Sequence, residues 1–183
     1  SFNRVVVDGD TSTNDVAFLT ATGKAGRVPK GALQAALEEC CRSLAIQIAR
    51  DGEGATKLIE VVVRGARSEK GAADVARTVV GSPLLKTAVY GEDPNWGRVL
   101  AAAGRAGVEF DPDRVSLSIG AGAGRTSLLD RGRIVADLAR AREAMKGREV
   151  RFELDLCEGD REATAWGCDL TERYVEINGR YTT

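Results

Sequence analysis

The chain has 183 residues, 43% hydrophobic and 29% charged, and its 26 Lys+Arg against 27 Asp+Glu leave a net charge of −1. A chain of this size buries roughly 70% of its unfolded surface, enough for one hydrophobic core. Near-neutrality with only 5% aromatic residues argues against nucleic-acid binding, and no apolar run approaches the ~20 residues of a membrane helix.

The sequence contains no histidine. That removes the Ser-His-Asp and Cys-His pairs, His-ligated zinc and a histidine general base. Cys40, Cys41, Cys157 and Cys168 show no CxxC spacing. They are expected to be buried, reduced thiols that ligate no metal and take no part in the chemistry.

Residues 5–7 predict a short strand, closed by the turn signal Asp8, Gly9, Asp10. The polar run at 8–15 places hydroxyls and carboxylates together, and residues 16–20 predict a second strand. Pro29 opens a long helix to about Arg50, with Leu33, Leu37, Cys40, Cys41, Leu44 and Ile48 as its apolar face. Residues 58–63 form a β-branched strand. Ser68 caps a helix whose Ala72, Val75, Ala76, Val79 and Val80 share a face, and Pro83 ends it. Residues 84–89 predict a strand. Asp93 as N-cap with Pro94 starts another helix, which runs to Gly104.

Residues 115–119 alternate as a strand, 120–124 form a flexible glycine-rich connection, and 134–145 carry helical spacing. Strict alternation makes 150–156 a half-buried strand, with 174–177 running back beside it. The resulting fold class is α/β: a mixed sheet built largely from antiparallel strands, with helices packed on one face.

Three motifs hold polar chemistry. GEGATK (residues 52–57) fails the phosphate-loop pattern, because its lysine is misplaced and its strand follows the loop. Glu53 between two glycines reads on spacing equally as a carboxylate that holds a substrate ammonium and as an exposed loop glutamate. DPNWGR (93–98) opens a helix whose N-terminus attracts anions. ATAWGCDLT (163–171) reads as a tightly packed turn. Ser1 invites an N-terminal-nucleophile mechanism, in which the α-amine serves as base.

Five segments together resemble one family: SFNRVVVDGDTSTND (1–15), RDGEGATK (50–57), GEDPNWGR (91–98), ATAWGCDLT (163–171) and YVEINGRYTT (174–183). In this order they are similar to the glutamate N-acetyltransferase (ornithine acetyltransferase) family of arginine biosynthesis. The resemblance spans the whole chain. It implies a sandwich fold and a precursor that cleaves itself into α and β chains, with a threonine heading the β chain as nucleophile. That threonine lies in a Met-Ala-Thr-Met-Leu stretch absent here, and the family's oxyanion-hole residues lie in the α chain.

These 183 residues therefore resemble one domain, or the C-terminal part of a β chain. Ser1 does not fall on the nucleophile, and no catalytic residue is assigned. The resemblance carries substrate binding onto Glu53, Asn178 and Thr183. Val16 stands where many members have threonine, and Gly179 with Arg180 replaces a small-acidic pair; neither departure touches those positions.

The implied partners are the α chain and the upstream β-chain segment, in an α2β2 hetero-tetramer or larger cytoplasmic assembly. The implied reaction moves acetyl from N-acetylornithine to glutamate, with no cofactor apart from acetyl-CoA as an alternative donor. Two other readings remain open: an amino-acid-binding or assembly module without activity of its own, and a secondary-metabolism acetyltransferase of the same family.

Overall fold

The structure is a computed structural model that describes residues 1–24 and 26–180. Seven strands form one sheet: β1 (Val5–Val6), β2 (Leu58–Ala66), β3 (Ser116–Ile119), β4 (Thr126–Asp130), β5 (Arg133–Ile134), β6 (Glu149–Asp155) and β7 (Arg161–Cys168). Their order is β1-β7-β2-β6-β3-β4-β5. The β1–β7 and β2–β6 pairs are parallel, and the other pairs are antiparallel. The mixed, largely antiparallel sheet expected from the sequence is present.

Six helices join it: α1 (Lys30–Arg50), α2 (Glu69–Val80), α3 (Pro83–Tyr90), α4 (Trp96–Ala103), α5 (Leu138–Met145) and α6 (Glu172–Arg180). Alternation along β2 separates the two faces of the sheet. Ile59, Val61 and Val63 join Phe152, Leu154 and Ala165 against Val75 and Val79 of α2, in the main core. Leu58 and Trp166 face the other way and meet Ala49 of α1. Helices therefore cover both faces, not the single face expected, because α1 takes the side that α2 leaves open.

Several elements differ from expectation. Residues 84–89 form α3, not a strand. Pro83 does end α2, but its fixed φ also pre-sets the first turn of the next helix. Residues 174–177 belong to α6, not to a strand beside β6. Residues 16–20 pair with no strand, so no strand forms there. Residues 163–168 lie in β7 rather than in a turn.

Helix α4 is capped by Asn95, whose Oδ1 accepts from Arg98 N, and not by Asp93. Helix α5 begins at Leu138 behind an Asp137 cap, four residues later than its apolar spacing suggests. On α1 the buried residues are Ala45 and Ala49, while Leu33, Leu44 and Ile48 remain exposed. Cys168 is buried, but Cys157 and Cys41 are half-buried and Cys40 is exposed, so the expectation of four buried thiols holds for Cys168 alone. Among the described residues no helix is long and apolar enough to cross a membrane.

Candidate functional site

Helix α1 ends at Arg50, and the next residues turn sharply. Ala55 N donates to Gly52 O at 2.9 Å, so Glu53 sits at the crest of a four-residue turn. Gly54 has φ +70°, and a Cβ there would lie 2.6 Å from Tyr174 N. A Cβ on Gly52 would lie 2.6 Å from Cys168 Sγ. Both glycines are thus required by close approach, and Gly54 by its left-handed backbone as well.

The strand-end residues behind the turn fix its position. Asp169, 2% exposed, accepts from Thr56 N at 2.8 Å, Lys57 N at 2.9 Å and Thr56 Oγ1 at 2.5 Å. Thr171 Oγ1 donates to Gly54 O at 2.7 Å and accepts from Arg173 N at 3.1 Å, so one hydroxyl starts α6 and docks it on the Glu53 turn. About two turns from Thr171 along α6, Asn178 Nδ2 donates to Glu53 Oε2 at 2.7 Å and to Tyr174 O at 3.1 Å. Two of the three sequence-predicted site residues therefore meet, although 125 residues separate them. The third, Thr183, lies outside the described residues.

Two further groups at this edge escape sequence reasoning. Tyr174 OH donates to Asp8 Oδ2 at 3.1 Å, which brings the polar run after β1 to the same place. Burial and this hydrogen bond push the Tyr174 hydroxyl up. Lys86 on α3 is 3% exposed, and its ammonium donates to Val7 O and Cys168 O, each at 2.5 Å. It bridges the ends of β1 and β7 where their ladder stops. Burial pulls its pKa below the usual lysine value, opposed by the neighbouring Cys168 and the carboxylates Asp169 and Asp8. A signal for Tyr174 existed: Thr171 three residues ahead of it is a helix cap. Lys86 gave none, since a lysine in an apolar run reads as a solvated residue.

The thiols are poorly suited to nucleophilic work. Burial pushes both Cys168 and Cys157 up, which leaves little thiolate. Among the described residues no group of His, Cys, Asp or Glu is arranged to hold a metal ion. The Ser1 amine reaches Asn3 Oδ1 at 3.4 Å, within its own turn. In DPNWGR, Arg98 donates to Leu84 O at 2.8 Å and pairs with Asp93 at 3.8 Å, a structural brace between α3 and α4. A cavity of about 510 Å³, lined by residues including Arg50, Glu60 and Trp166, lies on the α1 side of the sheet, and neither Glu53 nor Asn178 lines it.

The loops at one end of the mixed sheet thus gather the carboxylates of Asp8 and Glu53, the amide of Asn178 and the hydroxyls of Thr171 and Tyr174. The ArgJ family model matches residues 1–183, and the chain belongs to the ArgJ family. It is 49% identical over 191 residues to the arginine biosynthesis bifunctional protein ArgJ of Thermotoga neapolitana, aligning over 100% of this chain and 48% of that protein. It is 45% identical over 188 residues to the glutamate N-acetyltransferase of Methanothermobacter thermautotrophicus, over 100% of this chain and 46% of that protein. A crystal structure of arginine biosynthesis bifunctional protein ArgJ from Bacillus halodurans superposes with a TM-score of 0.93 at 41% identity, covering 99% of this chain and 87% of that one. The chain spans about half the length of the curated relatives it matches.

Proposed function

We propose that this chain is the C-terminal part of the β chain of a glutamate N-acetyltransferase and supplies one wall of its substrate pocket. The observation that carries the reading is the Glu53–Asn178 contact. Two segments remote in sequence, both matching family motifs, present a carboxylate and an amide side by side at an open edge. Among the described residues no hydrogen bond reaches Glu53 Oε1, so a lone pair remains for an ammonium-bearing substrate. Thr183, outside the described residues, belongs to the same wall in this proposal.

The chemistry is ping-pong acyl transfer. A threonine hydroxyl, deprotonated by its own α-amine, attacks the acetyl carbonyl of N-acetylornithine; the amide C–N bond breaks, and ornithine leaves with the proton. Glutamate then attacks the acetyl-threonine ester through its neutral amine, giving N-acetylglutamate and restoring the hydroxyl. The threonine, the oxyanion donors and the α chain belong to the half that this chain does not span. The lengths of the relatives support this: the curated proteins are about twice as long as this chain, whereas the solved Bacillus halodurans chain is only slightly longer. Acetyl-CoA remains an alternative donor, and the assembly is proposed as an α2β2 cytoplasmic enzyme.

The test is an acetyl-transfer assay on the complete enzyme, with [14C]acetylornithine as donor and glutamate as acceptor. Labelled N-acetylglutamate and a mass increment of one acetyl group on a threonine at the β-chain N-terminus are expected. Turnover without an acetylated threonine would overturn the covalent step. No transfer from either donor would overturn the activity.

A further inference from the structure

Strands β1 and β7 run parallel, with Val5 opposite Trp166 and Val6 opposite Gly167. The next rung would set Val7 opposite Cys168, but the ladder stops there. The carbonyls of both residues accept instead from the ammonium of Lys86, each at 2.5 Å. Lys86 comes from α3 and is 3% exposed, with Cys168 Sγ at 3.7 Å from its nitrogen. Burying an ammonium against neutral carbonyls is costly, and an apolar side chain would fill the same space at less cost. Packing alone does not call for a cation there.

The residue after each of those carbonyls is an aspartate that serves the site. After Val7 comes Asp8, whose Oδ2 accepts from Tyr174 OH at 3.1 Å. Tyr174 lies one turn before Asn178 on α6, and its carbonyl accepts from Asn178 Nδ2 at 3.1 Å. After Cys168 comes Asp169, which accepts from Thr56 N and Lys57 N at 2.8 and 2.9 Å, just past the Glu53 turn. The backbone of the same lysine closes the arrangement, because Lys86 O accepts from Leu170 N at 3.3 Å. One ammonium thus stands behind both partners of the Glu53–Asn178 contact, through Asp169 on one side and Asp8 on the other.

We propose that Lys86 is a positioning residue of this site: by clamping the ends of β1 and β7 it sets where Asp8 and Asp169 stand, and through them the spacing of Glu53 and Asn178. This rests on the reading above, that those two residues face an amino-acid substrate. Lys86 itself touches no substrate. Removing its donor leaves two carbonyls unpaired and lets the strand ends part, and a shift of about 1 Å in a positioned group costs up to about 100-fold in rate.

The experiment uses the complete enzyme, produced from the full-length gene, with active sites counted by single-turnover release of ornithine. Lys86→Met keeps the side-chain length and removes the donor. Lys86→Gln is one atom shorter and keeps two N–H donors. Val89→Ala truncates a fully buried core residue of the same helix and is the control for lost stability. Lys86→Met is expected to raise KM for N-acetylornithine and for glutamate about tenfold, with kcat per active site within about twofold of the parent. Lys86→Gln should fall between them, and Val89→Ala should lower Tm with both KM values unchanged. In enzyme that carries Glu53→Gln and Asn178→Ala, adding Lys86→Met should move KM by less than about twofold. Hydrogen exchange reads the clamp without turnover: the amides of Thr56, Lys57 and residues 174–178 should exchange faster in Lys86→Met than in Val89→Ala.

Fewer active sites with unchanged KM in Lys86→Met would overturn the proposal, since lost folding alone has that signature. An equal rise of KM in Val89→Ala would overturn it too. Failure of both Lys86 variants to fold would assign the lysine to the fold and not to the site. Unchanged kcat/KM in Glu53→Gln alone would overturn the pocket reading itself, and that result is recognisable before Lys86 is changed.

Discussion

Asn178 Nδ2 lies 2.7 Å from Glu53 Oε2, and the contact depends on one threonine. Thr171 starts α6 and ties it to Gly54 O, so the helix carrying Asn178 and the turn carrying Glu53 move as a unit. Their effects on the reaction should therefore not add. In the complete enzyme Glu53→Gln and Asn178→Ala are each expected to lower kcat/KM by about 10- to 150-fold, the range of roughly 1.5–3 kcal/mol for a lost hydrogen bond to a charged group. The double variant should lose less than the product of the two. Steady-state kinetics of all four forms decides; strictly multiplicative losses would show that the two residues act separately.

The turn itself offers a second prediction. Gly54→Ala adds a methyl where φ is +70° and where Tyr174 N lies 2.6 Å from the ideal Cβ position. Left-handed backbone costs an alanine about 1–2 kcal/mol, and the clash is with backbone that cannot swing aside. Helix α6 must shift, taking Asn178 with it. Weaker substrate binding, read as a raised KM, is expected alongside a lower Tm. A variant with wild-type KM would show that α6 does not position the substrate.

Asp169 tests the same edge from below. Its carboxylate accepts two backbone N–H groups and one hydroxyl while almost fully buried. Asp169→Ala strands those donors, and a loss of about 3 kcal/mol is expected from urea unfolding of the complete enzyme, with Asp169→Asn losing less. A loss below about 1 kcal/mol for the alanine variant would mean that water replaces the carboxylate there.

Much of this arrangement was legible in the sequence. Residues 58–63, 115–119 and 150–156 are β-branched or alternating, and each becomes a strand, because burial on a pleated sheet selects such residues. Ser68 announces α2, and its Oγ accepts from Gly71 N as a cap should. Glu53 stood out between its glycines, and Asn178 entered through motif resemblance. The failures share a cause. Residues 84–89 and 174–177 are short apolar runs whose composition suits either a strand or a helix. What decided them lay just upstream: Ser82 with Pro83 in one case, Thr171 in the other. The segment at 16–20 has strand composition but no neighbouring strand to complete it. The outer stripe of α1 shows the limit of periodicity, which finds an apolar face without saying which side meets this sheet.

The final prediction concerns Lys86, the buried cation that holds Val7 O and Cys168 O together. Burial lowers its pKa below the ordinary lysine value of about 10.4. In the interval between the lowered folded value and about 10.4, the unfolded chain binds a proton that the folded chain does not. Stability attributable to Lys86 should therefore rise with pH across that interval. Below the interval both states are charged and the burial cost is felt in full; above it both are neutral.

Cys168 titrates nearby, and its raised value acts in the opposite direction, so the comparison belongs in a Cys168→Ala background. There, unfolding free energies are measured with Lys86 and with Lys86→Met from pH 7 to about 10.5; contributions from the other lysines and tyrosines cancel in the difference. The lysine form is expected to gain on the methionine form as pH rises. A flat difference, or one that falls, would mean that the ammonium stays charged in the folded protein and that its two carbonyl bonds outweigh the desolvation.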